Sequence, residues 1–299
     1  MTEATAGLVI VDKPAGWTSH DVVGKLRKIY GQRRVGHAGT LDPDATGVLL
    51  VGLGRATRLM RFLQETTKTY EARVVFGVAT DTLDASGAVL ERVDMLLTRD
   101  RVEGATRAFL GEIMQTPPMV SAIKVQGQRL YDLARKGVEV ERAPRAVRID
   151  RIDVVAFEPG PYPEASLLVE CSSGTYIRSL AADLGEALGG CAHLATLRRL
   201  RVGAFGIGDA HSIDTIAADP DAAVLSPAEA LRGLEAIVVR GEERRAVAHG
   251  ATFAARALLT DDAGEGPFAV LDDDAQLLAV YERRGGGVKP AVVLAGADS

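Results

Sequence analysis

The chain has 299 residues, 47% of them hydrophobic and 25% charged, enough for one large domain with a sizeable core plus a small one, so intrinsic disorder is not the default. No apolar stretch approaches the roughly 20 residues that a membrane helix needs; the N-terminus lacks the pattern of a secretory signal, and the two cysteines, Cys171 and Cys191, show neither C-x-x-C nor zinc-like spacing, so a cytoplasmic protein is expected. The net charge of −5 hides an asymmetry, because from Asp209 onward the chain carries 8 basic and 16 acidic residues, net −8, leaving residues 1–208 with 27 basic and 24 acidic, net +3.

In chain order, GLVIVD (Gly7 to Asp12) reads as a buried strand, broken by Lys13-Pro14 and Gly16. Thr18 and Asp21 form a capping-box pattern opening a helix that ends at Gly31. VLLVGLG is a second buried strand and Arg55 to Gln64 an amphipathic helix. KTYEARVVFG alternates Tyr70, Ala72, Val74 and Phe76, the period of a half-buried strand, which points Tyr70 inward. Thr98 to Gly111 reads as a capped helix, and PPMVSAIKVQGQRL as an exposed, mobile excursion of the kind that closes over ligands. VRIDRIDVVAF and ASLLVEC are strand-like, and GTYIRSLAADLGEALGG is helical. Beyond Ser212 acids accumulate, and Leu234 to Arg240, Pro267 to Leu271, Leu277 to Tyr281 and Val288 to Leu294 give short strands of a small β-rich domain. Four basic clusters, Lys25 to Arg34, Arg55 to Arg61, Lys124 to Arg151 and Arg198 to Arg201, could face phosphates.

Glycine-rich GLGRAT lacks the third glycine of a dinucleotide fingerprint, and no phosphate loop, serine-hydrolase elbow or histidine cluster is present. What remains is GHAGTLDPDATG, Gly36 to Gly47. Pro43 forces Asp42 into extended backbone, holding its carboxylate out from the loop, and Gly36, Gly39 and Gly47 would permit close approach of a bulky ligand. By composition alone an ordinary Asp-Pro turn is the better account of this stretch.

The residues HAGTLDPDATGVL resemble the signature of pseudouridine synthases, specifically the TruB group, which modifies uridine 55 in the T arm of tRNA. VDKPAGWTSHD, KTYEARVVFGVATDTLDASG, PPMVSAIKVQGQRLYDLARKG, CSSGTYIRSLAADLG and CAHLATLRRLRVGAF resemble further blocks of that family, in its order, over most of residues 7 to 206. The resemblance implies an α/β (α+β) catalytic domain over residues 1–230, with a mainly antiparallel central sheet, flanking helices and an RNA-contacting insertion at about 112–145. A small β-rich, PUA-like C-terminal domain would occupy residues 231–299, its negative charge unlike that of a strong RNA-binding module.

It further implies that Asp42 is the catalytic carboxylate and nucleophile, that Arg178 pairs with it and keeps it ionised, and that Tyr70 stacks on the target base and can serve in proton transfer. Tyr176 and Leu197 would line the uridine pocket, and His37 would contact the T loop beside the flipped nucleotide. Asp44 is expected only to be solvated. The partner is the tRNA T stem-loop, with no metal, no nucleotide cofactor and no membrane, and a monomer is expected. The rival reading is a non-catalytic tRNA-binding or tRNA-folding factor that keeps the same pocket.

Overall fold

In the computed structural model, residues 5–119, 124–125, 128–129, 140 and 142–294 are described. Of the expected mobile excursion PPMVSAIKVQGQRL, residues 117–130, all but 117–119, 124–125 and 128–129 therefore lie outside the described residues.

The apolar runs of the N-terminal third become two core strands. Gly7–Lys13 (β1) pairs antiparallel with Thr46–Leu53 (β3), and both are buried nearly throughout. Between them, Thr18 caps Ser19–Ile29 (α1) in a complete capping box with Asp21. Val35–Ala38 (β2), which no alternation in the sequence announced, adds to the other side of β3 and carries His37 on a strand rather than in a loop. The helix expected over Arg55 to Gln64 forms only in part: Gly54–Leu59 is a 3₁₀ turn, and just Met60–Gln64 (α2) is α-helical. Gly54 adopts a φ of 55°, and the Thr57 hydroxyl donates to the Gly54 carbonyl at 2.8 Å, a local bond that competes with regular helix.

Lys68–Phe76 (β4) alternates buried and open positions as expected, with Tyr70 buried. A hairpin of Val78–Thr80 (β5) and Val89–Arg92 (β6) follows, then Arg99–Thr106 (α3), capped by Thr98. Gly111–Gln115 (β7), Arg145–Glu158 (β8) and Glu164–Cys171 (β9) lead to Ile177–Ala187 (α4), Ala192–Val202 (β10) and Val224–Leu225 (β11). The large sheet runs β11-β1-β3-β10-β4-β9-β8-β7. All its ladders are antiparallel except β10 against β3, which meet in parallel only at Arg198 with Thr46 and Arg199 with Gly47. This two-residue contact joins the halves of the sheet, and the Asp42 loop ends at it.

Gly47 makes the junction possible. Its φ is 100°, and a Cβ there would lie 2.2 Å from the carbonyl oxygen of Arg199. The close approach it permits is thus that of the chain's own strand rather than of a ligand.

A second sheet, of Glu235–Val238, Phe268–Leu271, Leu277–Arg284, Gly287–Val293 and Phe253–Ala254, matches the short strands expected after Ser212. Ala269, Leu277, Val280, Val292 and Leu294 of this part share one apolar cluster with Leu8, Leu50, Leu59 and Phe62. Two of the basic clusters make internal contacts. Arg55 and Arg58 donate to the carbonyls of Leu294 and Val293 at 3.3 and 2.6 Å, and Arg61 pairs with Glu282 at 3.5 Å, so this cluster, while exposed, is also tied to the second sheet. In the other, Arg198 pairs with Asp12 at 2.8 Å and Arg199 is sealed inside.

Gly47→Ala is expected to lower the unfolding free energy by roughly 3 kcal/mol, whereas Gly36→Ala changes it by less than about 0.5 kcal/mol. At Gly36 the nearest atom to an added Cβ is Thr57 Cγ2 at 4.0 Å. Urea denaturation of the two variants checks the contrast.

Candidate active site

The loop bearing Asp42 is held at the residues on either side of it. The Ser19 hydroxyl, in the first turn of α1, both accepts from Leu41 N–H at 2.9 Å and donates to Leu41 C=O at 3.1 Å. On the other side, the Pro43 carbonyl accepts from Gly16 N–H at 3.0 Å and from the Lys13 ammonium at 2.8 Å. Lys13 is fully buried and also donates to the Pro14 and Trp17 carbonyls at 2.9 and 2.6 Å, so all three of its protons are used. Burial presses its pKa down to about 8, against the pull of Asp44 and Asp42.

Arg178 lies in the first turn of α4, which has no acid of its own and whose dipole end disfavours a cation. Its side chain is only 4% exposed, and two carboxylates compensate it: Asp42 Oδ2 at 3.0 Å from Nη2 and Asp84 Oδ2 at 3.4 Å from Nη1. Nη1 also donates to the Thr82 carbonyl at 3.3 Å. Asp84 is itself fixed, its Oδ1 accepting from the Thr82 and Ser86 hydroxyls at 2.6 Å each and from Ser86 N–H at 3.1 Å. The turn that presents it places Leu83 at a φ of 63°, a left-handed conformation that costs a side-chain-bearing residue energy.

Asp42 is recessed but not sealed, with 43% of its side chain open. Dehydration raises its pKa above the ordinary carboxylate value, and Asp84 adds to this, while Arg178 and Lys13 oppose it. Such a carboxylate is oriented by one guanidinium, poorly solvated and open on one side, which suits attack on an electrophile or support of a cationic one. Asp44 is exposed.

Tyr70 is 7% exposed and stands directly opposite Arg199 across the β4–β10 ladder. Leu197, further along β10, packs against the same apolar cluster as Tyr70 and Leu41. His37 sits on β2, its ring edge-on to His20 at 6.2 Å and 82°, and its buried Nδ1 has no hydrogen-bond partner among the described residues. Burial lowers its pKa, with His20 and Arg199 adding to the shift, which favours the neutral imidazole. Tyr176 immediately precedes α4. Its backbone is clasped by the buried Gln115 side chain, which accepts from Tyr176 N–H at 2.7 Å and donates to its carbonyl at 2.9 Å. The Ser179 hydroxyl donates to the Thr116 carbonyl at 2.9 Å, so the end of β7 and the start of α4 form one unit.

Of the residues expected from sequence, Asp42 and Arg178 meet directly, while Tyr70 and Leu197 line the adjoining core. Asp84, Lys13, Ser19, Gln115 and Arg199 were not anticipated. Only Lys13 and Asp84 left a trace in the sequence, as a lysine before the first loop proline and as an Asp-x-Ser turn, and neither pattern names a partner.

The raised pKa of Asp42 means that folding disfavours its charged form. Its contribution therefore stabilises the fold relatively as pH falls through that raised value and is lost as pH rises. Asp42→Asn, with Arg178 still paired to Asp84, is accordingly expected to unfold at or above the wild-type temperature at pH 7. Lys13→Met, which strips a donor from three carbonyls, is expected to cost about 2 kcal/mol. Thermal denaturation followed by circular dichroism distinguishes the two.

Two family models tile most of the chain: TruB family pseudouridylate synthase (N terminal domain) over residues 27–177, and tRNA pseudouridylate synthase B C-terminal domain over residues 178–234. A relative from Thermobifida fusca, named tRNA pseudouridine synthase B, is 46% identical over 97% of this chain and 99% of its own length. Another of that name, from Symbiobacterium thermophilum, is 49% identical over 84% of each chain. Among solved structures, a chain in the crystal structure of a Cbf5-Nop10-Gar1 complex superposes with a TM-score of 0.75 at 27% identity, covering 98% of this chain and 86% of the other. By these matches over most of its length, with the Asp42–Arg178 pair inside the segments they cover, the chain belongs to the TruB family of pseudouridylate synthases.

Proposed function

We propose that this protein converts the T-arm uridine of tRNA, position 55, to pseudouridine, with Asp42 as the catalytic carboxylate. The observation that carries this reading is the 3.0 Å pair between a partly open Asp42 and a buried Arg178. Membership of a pseudouridylate synthase family and relatives named tRNA pseudouridine synthase B support the reaction and its tRNA substrate.

The isomerisation breaks C1′–N1 and makes C1′–C5, so the base has to leave the stack, turn and rejoin. Arg178 orients Asp42 toward the sugar and keeps one oxygen occupied. Asp84 holds Arg178 while its own Oδ1 is tied to Thr82 and Ser86. Tyr70 and Leu197 provide an apolar wall for the displaced uracil, Tyr176 completes the pocket, and Tyr70 takes part in proton transfer at the base. His37, its neutral form favoured by burial, offers its ring to the T loop. On this reading residues 1–230 carry the chemistry, and residues 231–299 form an accessory module.

The decisive measurement uses unmodified tRNA tritiated at uridine C5. Asp42→Asn is expected to lower tritium release at least about a thousandfold while tRNA binding stays within about threefold of wild type. Unchanged release would overturn the assignment of Asp42, and wild-type binding without release would favour a tRNA-folding factor that keeps the pocket. The wild-type rate is further expected to fall at acid pH with a midpoint above that of an ordinary aspartate, because the protonated acid cannot act as a nucleophile.

A further inference from the structure

Among the described residues Arg199 is the largest side chain sealed inside, 1% exposed. Among the described residues it forms no ion pair with a carboxylate. Its Nε donates to the Val48 carbonyl at 2.7 Å and its Nη2 to the Gly39 carbonyl at 3.1 Å, on the two sides of the Asp42 loop. Across the β4–β10 ladder its direct partner is Tyr70, which places the two buried side chains next to each other. Lys68, two residues before Tyr70 on the same face of β4, is also buried and donates to the Gln64 and Thr66 carbonyls at 3.0 and 3.4 Å. Burial and the neighbouring Arg199 press its pKa down to about 8.

Two cations are thus buried behind one tyrosine without a counter-ion among the described residues. Burying a guanidinium in this way is costly, and apolar side chains of similar volume would fill the space at lower cost. The remaining charged or titratable groups that face the phenol are Cys171 of β9, whose thiol burial pushes up to about 11, and Asp42 from its loop. Burial acts to keep Tyr70 protonated, and Arg199 acts against it.

We propose that Arg199 is a positioning residue for Tyr70, fixing the phenol against the Asp42 loop and supplying the positive charge that lets this buried hydroxyl release a proton and take one back. The inference rests on the proton-transfer reading of Tyr70 given above. As C1′–N1 breaks, uracil leaves with the bonding pair, and the Tyr70 hydroxyl protonates N1, leaving a phenolate against Arg199. After C1′–C5 forms, the C5 proton passes to the phenolate. The tyrosine is regenerated, and product and substrate have the same atoms.

The test titrates the full chain with its tyrosines replaced by 3-fluorotyrosine, using fluorine NMR, with the Tyr70 resonance identified by its loss in Tyr70→Phe. In Arg199→Gln the Tyr70 phenol is expected to become at least about tenfold weaker as an acid, and Arg199→Lys is expected to recover most of the difference. In parallel, kcat for tritium release is expected to fall at least about thirtyfold in Arg199→Gln with KM within about threefold, and to be partly rescued by lysine. A Tyr70 midpoint that is the same in folded Arg199→Gln and in wild type would overturn the proposal, since a packing role alone would leave the phenol's acidity unmoved. Should Arg199→Gln fail to fold, Arg199→Met, which removes the charge without burying a polar amide, is titrated instead; a weaker Tyr70 acid supports the proposal and an unchanged midpoint overturns it. Full tritium release by Tyr70→Phe would overturn the catalytic half, while the titration still judges the coupling of Arg199 to the phenol.

Discussion

A guanidinium buried at the positive end of a helix is the constraint around which this site is arranged. Arg178 is 4% exposed in the first turn of α4, where the helix dipole adds to the cost of its charge, so it requires anions at close range. Two arrive from separate parts of the fold, Asp42 from the loop between β2 and β3 and Asp84 from the turn between β5 and β6. Their roles differ because their other partners differ. Asp84 spends one oxygen on three hydrogen bonds within its own turn and is fixed, whereas Asp42 keeps an open side. One cation therefore serves two acids, holding one as structure and leaving the other available for chemistry.

The elements that deliver these groups are locked by close backbone contacts rather than by the apolar core alone. Gly47 lets β10 meet β3 in parallel at two residues, and from that junction Arg199 reaches back to both sides of the Asp42 loop. Lys13 and Ser19 hold the residues flanking Asp42 from β1 and α1. Gln115 ties β7, the strand leading into the excursion, to the backbone at the start of α4. Strands β1, β3 and β10 and helices α1 and α4 thus converge on a short loop whose backbone has little freedom left. Such preorganisation lets a single carboxylate be aimed without rearrangement at the moment of reaction.

Charge on this protein follows the same division between structure and surface. Arg55, Arg58 and Arg61 read in sequence as a phosphate-facing stripe, yet they hold the second sheet through two carbonyls and one glutamate. A guanidinium also hydrogen-bonds neutral carbonyls of its own chain, so the density of arginines along a sequence does not by itself measure the cationic surface it will present.

The sequence by itself determined the apolar strands β1, β3, β4, β8 and β9, the capping box of α1, the short strands of the second sheet and, through its family signature, Asp42, Arg178, Tyr70, His37, Tyr176 and Leu197 as the residues to watch. These are local patterns: periodicity, a cap and a motif each lie within about a dozen residues, where side-chain chemistry and backbone preference act directly. It did not determine β10. That strand carries RRLR at the centre of the sheet and is interrupted by irregularities between Leu194 and Thr196 and between Arg199 and Arg201, so neither its hydropathy nor its period announces a strand. Nor could it assign Asp84 to Arg178, Lys13 to Pro43 or Arg199 to Tyr70. Each of those pairings joins residues far apart in the chain, and burial, not composition, decides whether a cation finds a carboxylate, a carbonyl or a phenol.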